Sequence, residues 1–162
     1  MLHGQFSPTS DRATVAAYFL YGLEAGLFPE DCAKDWAFSV IAALDDPPIE
    51  IIDVATAAHR QDVFGALANA SLGADSALAG RWLLTRVHNE LLSNRISVRD
   101  AIRKSMQVAF STQLPEDVYY AFDALDDELQ LAENGVYSTV ADVTRDTLAE
   151  LSVHGQGSSG AT

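Results

Sequence analysis

Apolar residues recur along this chain at three- and four-residue steps, the period of a helix that buries one side. The stretch from Leu114 to Gly135 carries the pattern in full. Val118, Phe122, Leu125, Leu129 and Ala132 fall within one stripe at about 100° per residue, so they predict a core-facing stripe. Pro115 suits a first helical position, Glu116 and Asp117 complement the positive end of the helix dipole, and Gly135 supplies the stop. Opposite the stripe lie Glu116, Asp123 and Asp127, with Asp126 and Glu133 on one flank and Asp117 and Glu128 on the other. No Lys or Arg in the segment compensates them, and Tyr120 and Leu131 project from the same acidic side.

The same reading extends to the rest of the chain. Asp11 caps a first helix to Ala25 whose inward set is Ala16, Phe19, Leu20, Leu23 and Leu27. Gly26 stops it, and Pro29-Glu30-Asp31 opens a second helix to Leu44, with Ala33, Trp36, Ala37, Val40, Ile41 and Leu44 inward. Asp45-Asp46-Pro47-Pro48 breaks that helix. Residues 49–58 predict a short helix facing inward through Ile49, Ile52, Ala55 and Thr56, and 61–70 another through Val63, Phe64 and Leu67. A longer helix, Asp75 to Ser93, is apolar on more than one side and reads as central. Ser97-x-x-Asp100 opens a helix to Ser111, and Thr139-x-x-Asp142 one to about Val153. Three joints share one logic of stop, apolar contact and new cap: Gly26-Leu27-Phe28, Asn94-Arg95-Ile96 and Gly135-Val136-Tyr137. The expected fold class is therefore all-α, a single-domain bundle of about six to eight helices joined as αα-hairpins. Residues 1–10 form a loose lead-in, 11–153 the helical domain and 154–162 a disordered tail.

Composition narrows the partners. With 162 residues and 48% apolar content, one domain can bury a core without staples. The net charge of −13 argues against nucleic acid and anionic membranes and favours a cationic partner. By segment the charge is −6 over residues 1–60, +2 over 61–104 and −9 over 105–162. The middle holds Arg81, Arg86, Arg95, Arg99, Arg103 and Lys104, which either pair with acids of the same fold or form a phosphate site. Cys32 is the only cysteine, which fits a reducing, cytoplasmic setting, and no apolar run approaches the roughly 18 residues of a membrane span.

Catalytic patterns are absent from the sequence. None of the glutamates is followed by His at the third place, as a di-iron bundle requires, and there is no His-Glu-x-x-His, Walker loop, nucleophile elbow or EF-hand alternation. His59, at a helix end, and His88, in the middle helix, read as structural, and Cys32 as filler. No cofactor or metal is expected, and the chain is read as no enzyme.

Small size, acidity, cytosolic thiol usage and missing catalytic apparatus together resemble the immunity proteins of bacterial toxin-immunity pairs, including those of contact-dependent growth inhibition systems. The resemblance is one of general character over the whole chain. It implies a protein that neutralises a cognate toxin, often a basic nuclease, by covering its active or substrate-binding surface. The residues expected to meet such a cationic partner are Glu116, Tyr120, Asp123, Asp126 and Asp127, with Tyr120 as a desolvated anchor. The alternative from another class is a helical adaptor that takes a partner's helix in an apolar groove built on Trp36 and Trp82.

Overall fold

The computed structural model describes Phe6 and residues 11–156. His3, the rest of the lead-in and residues 157–162 lie outside them. Eight helices and no strand occur among the described residues: α1 Arg12–Glu24, α2 Glu30–Ala43, α3 Ile49–Thr56, α4 Arg60–Ala70, α5 Ser76–Leu92, α6 Val98–Ser111, α7 Glu116–Glu133 and α8 Val140–His154. The protein is all-α. Residues 154–156 do not fit the disordered tail expected over 154–162, because α8 runs through His154 and the Gln156 amide donates to the Arg81 carbonyl at 3.1 Å; the remainder of that expected tail is outside the described residues.

Four joints use one closing geometry. Gly26, Asn94, Gln113 and Gly135 adopt left-handed backbone with φ of 69°, 57°, 57° and 75°. The next amide in each case reaches back to the helix it leaves: Leu27 to Gly22, Arg95 to Glu90, Leu114 to Ala109 and Val136 to Leu131, at 2.9 to 3.0 Å. This satisfies carbonyls that a helix end otherwise strands. Three of these joints are expected from the sequence. The fourth is hidden because Gln113 is neither Gly nor Asn, residues that visit this conformation at less cost.

Packing separates into two compact units, with the division after Ala79, inside α5. In the first, α1 packs on α2 and α4, and α3 lies against α2 and α4. Asp11 caps α1 by accepting from the Ala13 amide at 3.2 Å and the Thr14 hydroxyl at 2.7 Å. Beyond that cap, α1 is buried on nearly every side rather than along one stripe: Thr14 through Leu20, Gly22 and Leu23 are all enclosed. The reason lies in its composition, since no charged residue occurs between Arg12 and Glu24 to claim a wet side. Phe19 stacks on Trp36 with ring centroids 5.3 Å apart, and Phe28 closes on both Tyr18 and Phe19 at 5.3 and 5.5 Å. Burying one such ring contributes about 1.5–3 kcal/mol. Arg60 binds Glu30 at 2.8 Å, and the Lys34 ammonium donates to the Ala57 carbonyl at 2.6 Å, at the end of α3.

Two inward sets need correction here. In α3 the core residues are Ile51, Val54 and Ala55, whereas Ile49 is 62% exposed, Thr56 is exposed and Ile52 half-buried. Glu50 and Asp53 decide this: Ile49 falls on their side of the helix, so a wet face drawn through the acids locates the core more surely than counting isoleucines. In α2, Cys32, Ala33, Trp36 and Ala37 are buried, but Val40, Ile41 and Leu44 are only half-buried, although the apolar period continues through them.

The second unit comprises α5 from Gly80 onward with α6, α7 and α8, the last three packed mutually. Trp82, Leu83, Leu84, Val87 and Leu91 of α5 are buried, as its two-sided apolar pattern implies. Ser97 caps α6 by accepting from the Asp100 amide at 3.1 Å. Thr139 and Asp142 form the expected reciprocal box at the start of α8. The buried residues of α7 are Val118, Phe122, Leu125 and Leu129, the first four of the stripe, with Ala132 half-buried.

Candidate functional site

The internal ion pairs determine which charges remain for a partner. Glu90, buried in α5, is held by Arg86 at 2.9 Å and Arg95 at 3.5 Å. Arg99 of α6 reaches Glu133 and lies 3.8 Å from Asp126, both on one flank of α7. Arg145 serves Asp142 and Asp146 of its own helix at 3.1 and 3.8 Å. Arg86, Arg95 and Arg99 of the central basic segment thus pair within the fold, and the expectation of an anion site loses them. Glu116, Asp117, Asp123, Asp127 and Glu128, in contrast, carry no ion pair among the described residues.

The five residues singled out from the sequence do not all share one environment. Glu116 and Asp127 are exposed, Asp123 is half-buried and Tyr120 is 60% exposed. Asp126 stands apart, because its Oδ1 is sealed from solvent without a hydrogen bond and faces Arg99. Its charge is already engaged inside the unit, unlike those of Glu116, Asp123 and Asp127. A position on the flank of a helix, 80° to 100° from the acidic centre, is where a neighbouring helix docks, and here that neighbour is α6.

Glu116 and Tyr120 meet residues that the sequence pattern does not single out. At the α6–α7 joint a groove of about 330 Å³ has Ala109 and the buried Leu114 on its floor, with Phe110, Gln113, Glu116, Tyr119 and Tyr120 around them. Local structure explains the assembly. The left-handed turn at Gln113 lets the Leu114 amide return to Ala109 and tucks the leucine under the joint, and Pro115 then starts α7 at once. Phe110, the last residue but one of α6, and the Tyr119–Tyr120 pair, in the first turns of α7, consequently emerge on either side of the bend. The two tyrosine rings stand edge to face, 5.6 Å apart, and Phe110 is 78% exposed. A signal for Phe110 exists in the sequence: it follows Arg103 and Gln107 at i+7 and i+3, on the wet side of α6.

The other candidate centres give less. His59 is exposed at the N-cap of α4 and makes no capping hydrogen bond; His88 is half-buried in α5. His154 contacts Glu150 at 3.1 Å and shares a second hollow, of about 380 Å³, with Arg81 and Asp117. Among the described residues no group of three or more His, Cys, Asp or Glu side chains is placed to hold a metal ion, and no helix is long and apolar enough to cross a membrane. The Thr139 amide and hydroxyl, followed by Arg145, hold the Asp142 carboxyl below its ordinary range, whereas burial raises that of Glu24. Trp36 and Trp82 are both buried, Trp36 within the ring cluster, so they cannot line an open groove for a partner helix. Compared with known protein families, with curated proteins and with solved structures, the chain shows no match.

Proposed function

We propose that this chain is a non-catalytic protein-binding domain whose acidic α7 face receives a cationic protein, acting as an immunity protein that neutralises a nuclease-type toxin in the cytoplasm. One observation carries the reading: among the described residues Glu116, Asp117, Asp123, Asp127 and Glu128 make no ion pair, on a helix whose other acids, Asp126 and Glu133, have a partner in Arg99. Unneutralised carboxylates on one surface produce a field that speeds encounter with a positive partner. Tyr120, exposed among them, supplies a large rigid group to desolvate at the centre of the contact, and Leu131 adds apolar area about three turns further on.

The test uses the basic proteins encoded by neighbouring reading frames as partners. Reversing Asp123 and Asp127 to Lys should slow association about tenfold or more and flatten its dependence on salt, measured by surface plasmon resonance. Binding that survives this double reversal undiminished overturns the proposed face.

A further inference from the structure

We propose that the groove at the α6–α7 joint is a binding site for an arginine side chain presented by the partner. The inference rests on the cationic-partner reading and names the place where one of the partner's charges is read individually.

Three kinds of group meet in this groove: aromatic rings from Phe110, Tyr119 and Tyr120, the carboxylate of Glu116 and the side-chain amide of Gln113. An extended alkyl stem can lie across the ring faces while its charged head reaches the carboxylate. A guanidinium suits this better than an ammonium, because its plane stacks on a ring and its fork fits a carboxylate. The protein already builds this combination once. Arg60 lies over the Phe64 ring, 4.9 Å from its centroid, and donates to Glu30 at 2.8 Å. The α6–α7 groove has the rings and the acid, and its lining includes no Lys, Arg or His. Arg103 is the exposed base on the same side of α6 as Phe110, but seven residues of helix separate them by roughly 10 Å along the axis, leaving the groove to a cation from outside. Glu116 lies at the edge of the field that draws a basic protein in, so long-range attraction and a specific pocket occupy one surface.

The experiment titrates the isotopically labelled full chain with N-acetyl-arginine N-methylamide, followed by amide chemical shifts, beside the citrulline and norleucine analogues. Arginine should shift Phe110, Gln113, Glu116 and Tyr120 selectively and bind about two- to fivefold more tightly than either neutral analogue. Glu116→Gln, which keeps the side-chain shape, should remove that preference, and Phe110→Ala should weaken arginine by a similar factor. Equal binding of norleucine or citrulline overturns the inference, leaving a plain apolar groove. Arginine shifts spread evenly over Asp123, Asp127 and the other acids overturn it as well. The two proposals fail separately: a groove indifferent to arginine on a protein that still captures a basic partner sinks this inference alone. A groove that takes arginine on a protein no basic partner engages sinks only the function reading.

Discussion

Two helices carry neighbouring aromatic rings, and they do opposite things with them. Tyr18 and Phe19 of α1 stand edge to face at 5.2 Å and are almost wholly buried; Tyr119 and Tyr120 of α7 stand edge to face at 5.6 Å, with Tyr119 half-buried and Tyr120 mostly in solvent. The ring pairs themselves hardly differ. Their helices do, since α1 has no charge between Arg12 and Glu24, while α7 carries seven carboxylates from Glu116 to Glu133. A helix without a wet side must be enclosed, and its rings then hold the core. A helix with a strongly wet side keeps any ring there exposed, where it stabilises little and is available to a partner.

That contrast can be broken most forcefully at Phe19. Phe19→Ala should cost about 3–5 kcal/mol in chemical denaturation, through the cavity left against Trp36 and Phe28. Tight packing also occurs beside the α6–α7 groove. A Cβ added at Gly80 would press on Thr112 Oγ1 and come within 2.9 Å of Thr112 Cβ, so Gly80→Ala should lose about 1–3 kcal/mol despite better helix propensity, and adding Thr112→Ala should recover part of it.

A smaller effect is expected at the α8 cap, where Thr139→Ala should cost about 1 kcal/mol. This cost depends on pH in a definite direction. Asp142 is held below its ordinary value of 3.8 by the Thr139 amide and hydroxyl, so its stabilising contribution is present above that value and fades as pH falls through the lower folded pKa. The stability gap between wild type and Thr139→Ala should therefore narrow on going from neutral pH to about pH 3. The smallest change belongs to the exposed ring: Tyr120→Ala should move stability by no more than about 0.5 kcal/mol while weakening partner binding. A loss as large as that at Phe19 would show that Tyr120 serves the core, and would remove the distinction drawn between the two helices.

Much of this was determined by local sequence. The caps at Asp11, Ser97 and Thr139 and the stops at Gly26, Asn94 and Gly135 all follow from residues within about one turn of each other, where hydrogen bonds and steric preferences act without help from the rest of the chain, and the stripe of α7 follows from its period alone. Which acids stay unpaired could not be read that way, because Arg99 and its partners Asp126 and Glu133 are brought together only when α6 packs on α7. The left-handed Gln113 belongs with it, since the joint there is closed by the buried Leu114 rather than by an intrinsic preference of glutamine. Helix periodicity fixes the side on which a group emerges, but only the docked neighbour decides whether that side meets a cation, a core or water.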